Sequence, residues 1–137
     1  FGKAITLYRI PQDISFLISS NITEPWVFVL IICIVLLLMG FFLEALSMML
    51  IMMPVLHPSL MPLGIDAVWF GIVFVIMVEC ALITPPVGLN LFVIQAVGKA
   101  ELGEVVAGVW PFIIIMLTSV LVIYLFPDIA LYIPFKL

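Results

Sequence analysis

Charged side chains are scarce in this 137-residue sequence, and so are the residues that enzymes use for catalysis. Charged residues make up 9% of the chain, and histidine occurs once. Four Lys and Arg against eight Asp and Glu leave no basic surface to follow a phosphate backbone, so we expect no nucleic acid partner. Serine-hydrolase, zinc-peptidase and P-loop motifs are missing, which predicts that the chain is not an enzyme and has no catalytic residues.

Cysteine is almost absent, and the pattern of a targeting segment is missing. Cys33 and Cys80 both lie in apolar segments and form no CxxC pair, so we interpret them as small buried apolar side chains. The sequence begins at Phe1 without an initiator methionine and without the charged, apolar and small-residue order of a signal peptide. We therefore expect it to be a fragment of a longer protein.

Apolar residues dominate what is present. They make up 67% of the chain, and the mean hydropathy is +1.52, far outside the range of soluble globular proteins. Long apolar runs of this kind predict an all-α integral membrane protein in a lipid bilayer. At about 20 residues per crossing, the chain can form about four membrane elements, which are too few to enclose a binding site from all sides.

The first part of the chain divides into a polar segment and an apolar run that is too long for one upright span. Residues 1–25 are the most polar part, and they form either an amphipathic helix at the membrane surface or a loop between spans. As one helix, residues 26–53 would be about 42 Å long, against a hydrocarbon core of about 30 Å. One alternative is a steeply tilted span. The length and the central Gly40 favour a re-entrant hairpin that turns between Gly40 and Glu44.

The middle of the chain predicts a connector followed by a new helix. Three prolines at four-residue spacing indicate a non-helical connector that ends at Gly64; they are Pro54, Pro58 and Pro62. Asp66 then predicts the N-cap of a helix over residues 67–83, with Trp69 at the level of the lipid headgroups.

This helix runs into the stretch Thr84-Pro-Pro-Val-Gly88, which cannot be helical. The two prolines carry no N–H, so the carbonyls of Ala81 and Leu82 lose their helical donors. Unpaired backbone at membrane depth costs several kcal/mol per group unless protein, water or an ion satisfies it, so such breaks line cavities or binding sites. An ordinary proline kink is the alternative. The neighbouring Thr, Gly, Asn and acidic residue favour a site, because a kink requires none of them.

The break creates two helix ends of opposite polarity. The end near Ile83 presents spare carbonyls suited to a cation, and the end near Gly88 presents spare N–H groups suited to an anion. Beyond the break, the pattern predicts helix over residues 89–97, a polar turn outside the membrane at 98–104, and an ordinary membrane span at 105–126.

Glu44 and Glu79 are acidic residues within apolar runs, so hydropathy alone predicts that they lie inside the membrane. An acid inside the bilayer normally faces a partner, water or a transport path. Two interpretations of Glu79 stay open: ion coordination or protonation near the break, or a hydrogen-bonded carboxyl that braces the broken backbone. Glu44 and Ser47 are three residues apart, so both can point from the hairpin tip into one cavity, and a shallower surface position is the alternative.

Three stretches of the sequence are distinctive: they run from Gly40 to Pro54, from Gly64 to Gly71, and from Val78 to Val93, the last containing TPPVGLN. Together with Trp110-Pro-Phe112 and Phe126-Pro127, they resemble the C-terminal part of the large membrane subunit of TRAP (tripartite ATP-independent periplasmic) transporters. Two positions depart from the family pattern: Glu44 stands where Asp is frequent, and Cys80-Ala81 where Gly is frequent.

The resemblance implies the second inverted repeat of an elevator-type ion transporter fold. The single membrane domain would consist of a re-entrant helical hairpin at 26–57, a broken transmembrane helix at 66–98 and a scaffold helix at 105–126. It also implies a multi-pass protein of the bacterial inner membrane that imports small organic acids such as dicarboxylates or sialic acid. A sodium gradient would drive import, with sodium as coupling ion and no other cofactor.

The family further implies two partners, a small four-helix membrane subunit and a periplasmic substrate-binding protein. The alternative function is a non-transporting scaffold that anchors a complex in the membrane. Sodium is expected near Ala81, Leu82 and Thr84. All residues predicted to contribute to ion or substrate binding are Gly40, Glu44, Ser47, Glu79, Ala81, Leu82, Thr84, Pro85, Pro86, Val87, Gly88 and Asn90.

Overall fold

A computed structural model of the chain describes residues 24–136, and the side chains of residues 24–132. The interfacial segment predicted at 1–25 lies outside the described residues, apart from its last two positions. The described part contains helices and no strand, which confirms the all-α prediction. The helices are α1 (Pro25–Met39), α2 (Ala45–Leu60), α3 (Ala67–Ile83), α4 (Leu89–Gly98), α5 (Leu102–Leu125) and α6 (Pro127–Lys136).

Helix α3 is the centre of the fold, since it packs against each of the other five helices. The two helices of the hairpin, α1 and α2, pack on α3 more than on each other. Aromatic rings join α1 to α3: the ring centroids of Phe28 and Phe70 are 6.0 Å apart, and those of Phe70 and Phe74 are 6.2 Å apart. Helix α3 therefore contributes more buried residues than any other helix of the described part; they are Trp69, Phe70, Val73, Phe74, Met77, Val78, Cys80, Ala81 and Leu82.

Side-chain caps set the start of two helices. Asp66 Oδ1 accepts hydrogen bonds from the backbone N–H groups of Val68 and Trp69, both at 2.9 Å, which confirms the predicted N-cap of α3. Glu101 and Glu104 form a capping box at the start of α5. Because this box satisfies the first N–H groups, α5 begins at Leu102, within the turn predicted at 98–104.

The predicted proline connector is wrong over most of its length. Helix α2 continues through Pro54 and Pro58 and ends only at Leu60. Each proline removes one helical hydrogen bond, but Leu56 and Leu60 are buried in the core beside them, and this packing holds the helix together. The true connector is short.

Helix α5 is the only helix of the described residues that is long and apolar enough to cross a membrane, with a mean hydropathy of 2.5. Its 24 residues extend about 36 Å. Helices α1 to α4 are apolar but shorter, at 10 to 17 residues. Helices α1 to α4 are shorter because non-helical residues separate them after Met39, Leu60 and Ile83.

The end of α5 is tied back to the start of α3. The indole N–H of Trp69 donates to the carbonyl oxygen of Ile123 at 3.0 Å, and the rings of Trp69 and Tyr124 have centroids 6.0 Å apart. Trp69 is 7% exposed, so its main contacts are within the described chain. Helices α3 and α5 therefore run antiparallel and side by side.

Candidate functional site at the helix break

The break in the second half of the chain lies where the sequence predicts it. Helix α3 ends at Ile83, α4 begins at Leu89, and the intervening residues are not helical. The peptide bond between Pro85 and Pro86 is cis. Gly88 has φ 35° and ψ 95°, a conformation that residues with a side chain rarely adopt.

The last carbonyls of α3 differ in how they are satisfied. The Thr84 N–H donates to the Ala81 carbonyl at 3.3 Å, and the Thr84 hydroxyl donates to the Cys80 carbonyl at 2.6 Å. The Ala81 carbonyl thus loses the helical donor four residues on, where Pro85 stands, but it is not left unpaired, because it accepts the N–H three residues on. The Leu82 carbonyl accepts no hydrogen bond from any group in the described residues.

Two carbonyl oxygens converge beside Gly88. A Cβ atom built on this glycine would lie 3.0 Å from the Leu82 oxygen and 3.0 Å from the Thr84 oxygen. Both oxygens therefore lie close to Gly88, which is buried, and the Leu91 Cδ1 methyl group would lie 3.1 Å from the same Cβ atom. Such a pair of unpaired backbone oxygens is a feature of cation sites, since hard cations prefer oxygen ligands.

The start of α4 is open on the other side of the break. Its N-cap is Gly88, and no side chain caps it. Within the described chain, the Leu91 N–H donates to the Gly88 carbonyl at 2.8 Å, while the N–H groups of Leu89 and Asn90 have no acceptor. Free N–H groups and the positive end of the helix dipole favour an anion at this position.

The hairpin tip touches this break. Gly40 follows α1 and is buried. A Cβ atom built on Gly40 would overlap the Cβ of Ala81 and would lie 2.8 Å from the Ala81 carbonyl carbon and 2.9 Å from its oxygen. The structure therefore brings together the two helix interruptions. Whether the hairpin is re-entrant stays a prediction.

Glu44 and Ser47 bond to each other at the start of α2, and whether they face a cavity stays a prediction. Glu44 is the N-cap of α2. Its Oε2 accepts from the Leu46 N–H at 2.8 Å, and its Oε1 accepts from the Ser47 N–H and from the Ser47 hydroxyl, both at 2.6 Å. The carboxylate thus occupies the N-terminus of α2.

Glu79 lies on the side of α3 that faces α2. It is exposed and lines a cavity of about 230 Å³ together with Ala45, Leu46 and Met49 at the start of α2. Its carboxylate makes no hydrogen bond or ion pair with any residue that the structure describes. Both interpretations of Glu79 stay predictions.

A small apolar cluster supports the break from behind. Its centre is formed by Cys80 at the end of α3 and Leu91 in α4, both 0% exposed. Val105, Val109 and Ile113 of α5 complete it. Sequence reasoning missed Leu91 as a supporting residue, because one leucine in an apolar stretch carries no distinguishing signal.

Three other predicted site residues have more peripheral places. Pro86 is exposed, while Val87 and Asn90 are half-buried. Within the described residues, the Asn90 side chain forms no hydrogen bond. Pro85 and Pro86 have no N–H group, so they cannot continue the helical hydrogen bonds of α3.

Comparisons with known proteins agree over almost the whole chain. The family model described as "Tripartite ATP-independent periplasmic transporter, DctM component" matches residues 1–129. The C4-dicarboxylate TRAP transporter large permease protein DctM of Pseudomonas aeruginosa is 39% identical over 134 residues, which is 98% of the chain and 31% of the relative. The protein of the same description from Rhodobacter capsulatus is 41% identical over 125 residues, 91% of the chain and 28% of the relative.

A more distant relative is named for a different substrate. The sialic acid TRAP transporter permease protein SiaT of Haemophilus influenzae is 29% identical over 134 residues, 98% of the chain and 22% of the relative. The chain therefore spans less than a third of the length of these relatives.

Proposed function

Because the chain belongs to the DctM component family of tripartite ATP-independent periplasmic transporters, we propose that it forms part of a secondary active transporter. The transporter imports small organic acids across the bacterial inner membrane, and a sodium gradient drives the import. In the chain itself, the function lies at the helix break between α3 and α4.

The observation that carries this proposal is the pair of carbonyl oxygens beside Gly88. The carbonyl oxygens of Leu82 and Thr84 both lie close to Gly88, in a chain that is otherwise strongly apolar. In a membrane, leaving such groups unpaired costs several kcal/mol each, and a bound cation removes this cost. Sodium is a hard cation that fits oxygen ligands, and the Thr84 hydroxyl oxygen is available as a further ligand.

The start of α4 supports binding of the substrate carboxylate. The free N–H groups of Leu89 and Asn90 are adjacent to the proposed sodium position, so that cation and anion stabilise each other across the break. The start of α2 does not serve in the same way, because Glu44 already occupies it. The arrangement favours a substrate with at least one carboxylate.

The substrate class rests on the relatives. The names of the relatives include C4-dicarboxylate and sialic acid, both of which carry a carboxylate. We infer a small organic acid of this kind for the complete transporter. A protein that only anchors a complex in the membrane would not need unpaired carbonyls and N–H groups at the break between α3 and α4.

The arrangement of the complete transporter is part of the proposal. The chain supplies the second inverted repeat of an elevator-type fold, with α1 and α2 as the re-entrant hairpin, α3 and α4 as the broken helix, and α5 as the scaffold helix. A small four-helix membrane subunit and a periplasmic substrate-binding protein complete the transporter. This assignment follows from family membership.

Reconstitution tests the function directly. The complete permease is placed in proteoliposomes with its small subunit, and the substrate-binding protein is added outside with radiolabelled succinate or sialic acid. We expect uptake under an inward sodium gradient, none under an equal potassium gradient, and loss of uptake when a sodium ionophore collapses the gradient. Equal uptake in sodium and potassium would contradict sodium coupling, and no uptake of any organic acid would favour the anchor.

A further inference from the structure

An apolar groove runs between α1 and α5, away from the helix break. It has a volume of about 400 Å³ and is lined by one face of α1, by Met77 of α3 and by the second half of α5. On α1 the lining residues run from Trp26 to Leu37, which is about 16 Å of helix. Every lining residue is apolar or aromatic. Leu30 and Leu121 are 52% and 56% exposed, so the described chain leaves the groove open.

One end of the groove carries aromatic residues and leads into a more polar cavity. Trp26 lies at the start of α1, and Tyr124 lines both the groove and a second cavity of about 330 Å³. The second cavity also contains Asp66 and the connector residues Gly64 and Ile65. Trp and Tyr favour the level of the lipid headgroups. The apolar groove and the polar cavity therefore follow each other in the order of an acyl chain and its headgroup.

The charges at this end favour a cationic group. Asp66 is exposed, and its Oδ1 caps α3, while its Oδ2 accepts no hydrogen bond from the described residues. Glu24 and Asp128 lie at the same end, because α1 and α3 start side by side and α6 follows the end of α5. Lys99, the one Lys or Arg whose side chain the structure describes, lies beyond the break. Such a charge distribution attracts a headgroup amine and repels an anionic headgroup.

The dimensions of the groove suit a hydrocarbon chain better than a further helix. A helix is about 10 Å across with its side chains, so 16 Å of helix would need roughly three times the volume of the groove. An extended acyl chain is narrower, and its rotatable bonds let it follow the uneven walls. A lipid is therefore the occupant that fits both the shape of the groove and the charge at its end.

We propose that the groove between α1 and α5 binds one phosphatidylethanolamine molecule. An acyl chain lies between the two helices, and the headgroup amine donates a hydrogen bond to Asp66 Oδ2. The Tyr124 hydroxyl, which makes no hydrogen bond within the described residues, donates to a phosphate oxygen. This lipid site is separate from the helix break, and it does not depend on sodium coupling or on the transported substrate.

The test measures lipid binding to the complete permease with its small subunit. The complex is purified in detergent and stripped of lipid, and phosphatidylethanolamine, phosphatidylcholine or phosphatidylglycerol with identical acyl chains is added. Native mass spectrometry counts the bound lipids. We expect phosphatidylethanolamine to bind about fivefold more tightly than phosphatidylcholine, whose quaternary amine has no N–H to donate, and phosphatidylglycerol to bind most weakly. Equal binding of the three lipids would overturn the proposal.

Asp66→Asn tests the headgroup contact. Asn caps a helix as well as Asp does, so the variant should keep its stability while losing the charge. Its preference for phosphatidylethanolamine over phosphatidylcholine should fall from about fivefold to about one. Glu104→Gln removes a negative charge at the start of α5, far from the groove's polar end, and Gln also fits a capping box, so this control should behave as wild type. An unchanged preference in Asp66→Asn would contradict the assignment.

Leu121→Trp tests the groove itself. The larger side chain fills the groove from an exposed position, so binding of all three lipids at this site should fall at least about fivefold. Ile115→Trp is the matched control, because Ile115 is similarly exposed, at 61%, and lies about 120° round α5 from Leu121. Unchanged lipid binding in inserted Leu121→Trp overturns the proposal.

A measurement on the wild-type complex decides the matter if Leu121→Trp does not insert. Phosphatidylethanolamine with a photoreactive diazirine in its acyl chain is bound and irradiated, and the labelled peptides are identified. We expect labels within residues 26–37 and 117–124. Labels only elsewhere overturn the proposal, and this is the result expected if a helix from the rest of the transporter covers the groove.

Discussion

Gly40 and Ala81 meet where two separate helix interruptions touch, although they are far apart in the sequence. The first lies at the turn of the hairpin, and the second lies at the last turn of α3 before the double proline. At the hairpin turn, the N–H groups of Gly40 to Leu43 donate to carbonyls at the end of α1. At the break, the Leu82 carbonyl and the N–H groups of Leu89 and Asn90 have no partner among the described residues.

The Thr84 hydroxyl is the first point to test. Thr84→Val keeps the shape of the side chain but removes the hydrogen bond to the Cys80 carbonyl, which costs about 1 kcal/mol, and it also removes a possible sodium ligand. We expect the sodium concentration for half-maximal uptake to rise roughly fivefold or more, with normal insertion. Thr118→Val removes the same kind of bond, to Ile114 on an exposed face of α5, and should leave sodium dependence unchanged. Equal effects of the two variants would contradict a role of Thr84 at the ion site.

Gly88 provides a test of the converging carbonyls. Gly88→Ala places a methyl group 3.0 Å from the oxygens of Leu82 and Thr84, at a φ of 35°. We expect sodium-driven uptake to fall at least about tenfold, because the methyl group crowds both oxygens and the backbone is strained. Gly64 also has a positive φ, 67°, but a Cβ built on it has no neighbouring atom within 4 Å. Gly64→Ala therefore introduces backbone strain without a steric contact. It should lower thermal stability only, and loss of uptake in both variants would mean that strain and not occupancy matters.

Glu44 is predicted to stabilise the protein without binding the ion. Glu44→Ala removes the N-cap of α2 and should lower the free energy of unfolding by about 1 kcal/mol. Glu44→Asp keeps a carboxylate that caps helices well, so it should stay near wild type. Sodium affinity should be unchanged in both variants, as measured by sodium-dependent thermal stabilisation. A large loss of sodium affinity in Glu44→Ala, with normal stability, would instead identify Glu44 as an ion ligand.

Glu79 separates ion binding from bracing. Since its carboxylate makes no hydrogen bond to a described residue, we expect Glu79→Gln to insert normally and to lower apparent sodium affinity, because a neutral amide cannot replace a charge near a cation. Glu79→Leu should insert equally well, because it removes no hydrogen bond within the described chain. A Gln variant with normal sodium affinity beside a Leu variant that folds poorly would assign Glu79 the bracing role.

The helix break was predictable because proline acts locally. A residue without an N–H cannot complete a helix, whatever surrounds it, so two adjacent prolines locate the end of α3 without any tertiary information. Asp66 was predictable for the same reason, since a cap depends on a few adjacent residues.

Features that depend on packing were not predictable in the same way. Pro54 and Pro58 suggested a connector, yet burial of the neighbouring leucines keeps α2 helical. A spacing of three residues between Glu44 and Ser47 fits both a shared helix face and a cap, and the side-chain conformation decides between them. The contact of Gly40 with Ala81 is a tertiary one, and nothing in the local sequence around either residue indicates the other.

The hydrogen bond from Trp69 to the carbonyl of Ile123 has a mechanical consequence. It joins residues 54 positions apart, while Cys80 and Val105 hold the opposite ends of the same two helices together. Helices α3 and α5 are thus held together at both ends, and the broken segment begins at the end that the apolar cluster supports. The end of α3 therefore keeps its direction when the non-helical residues after it change conformation.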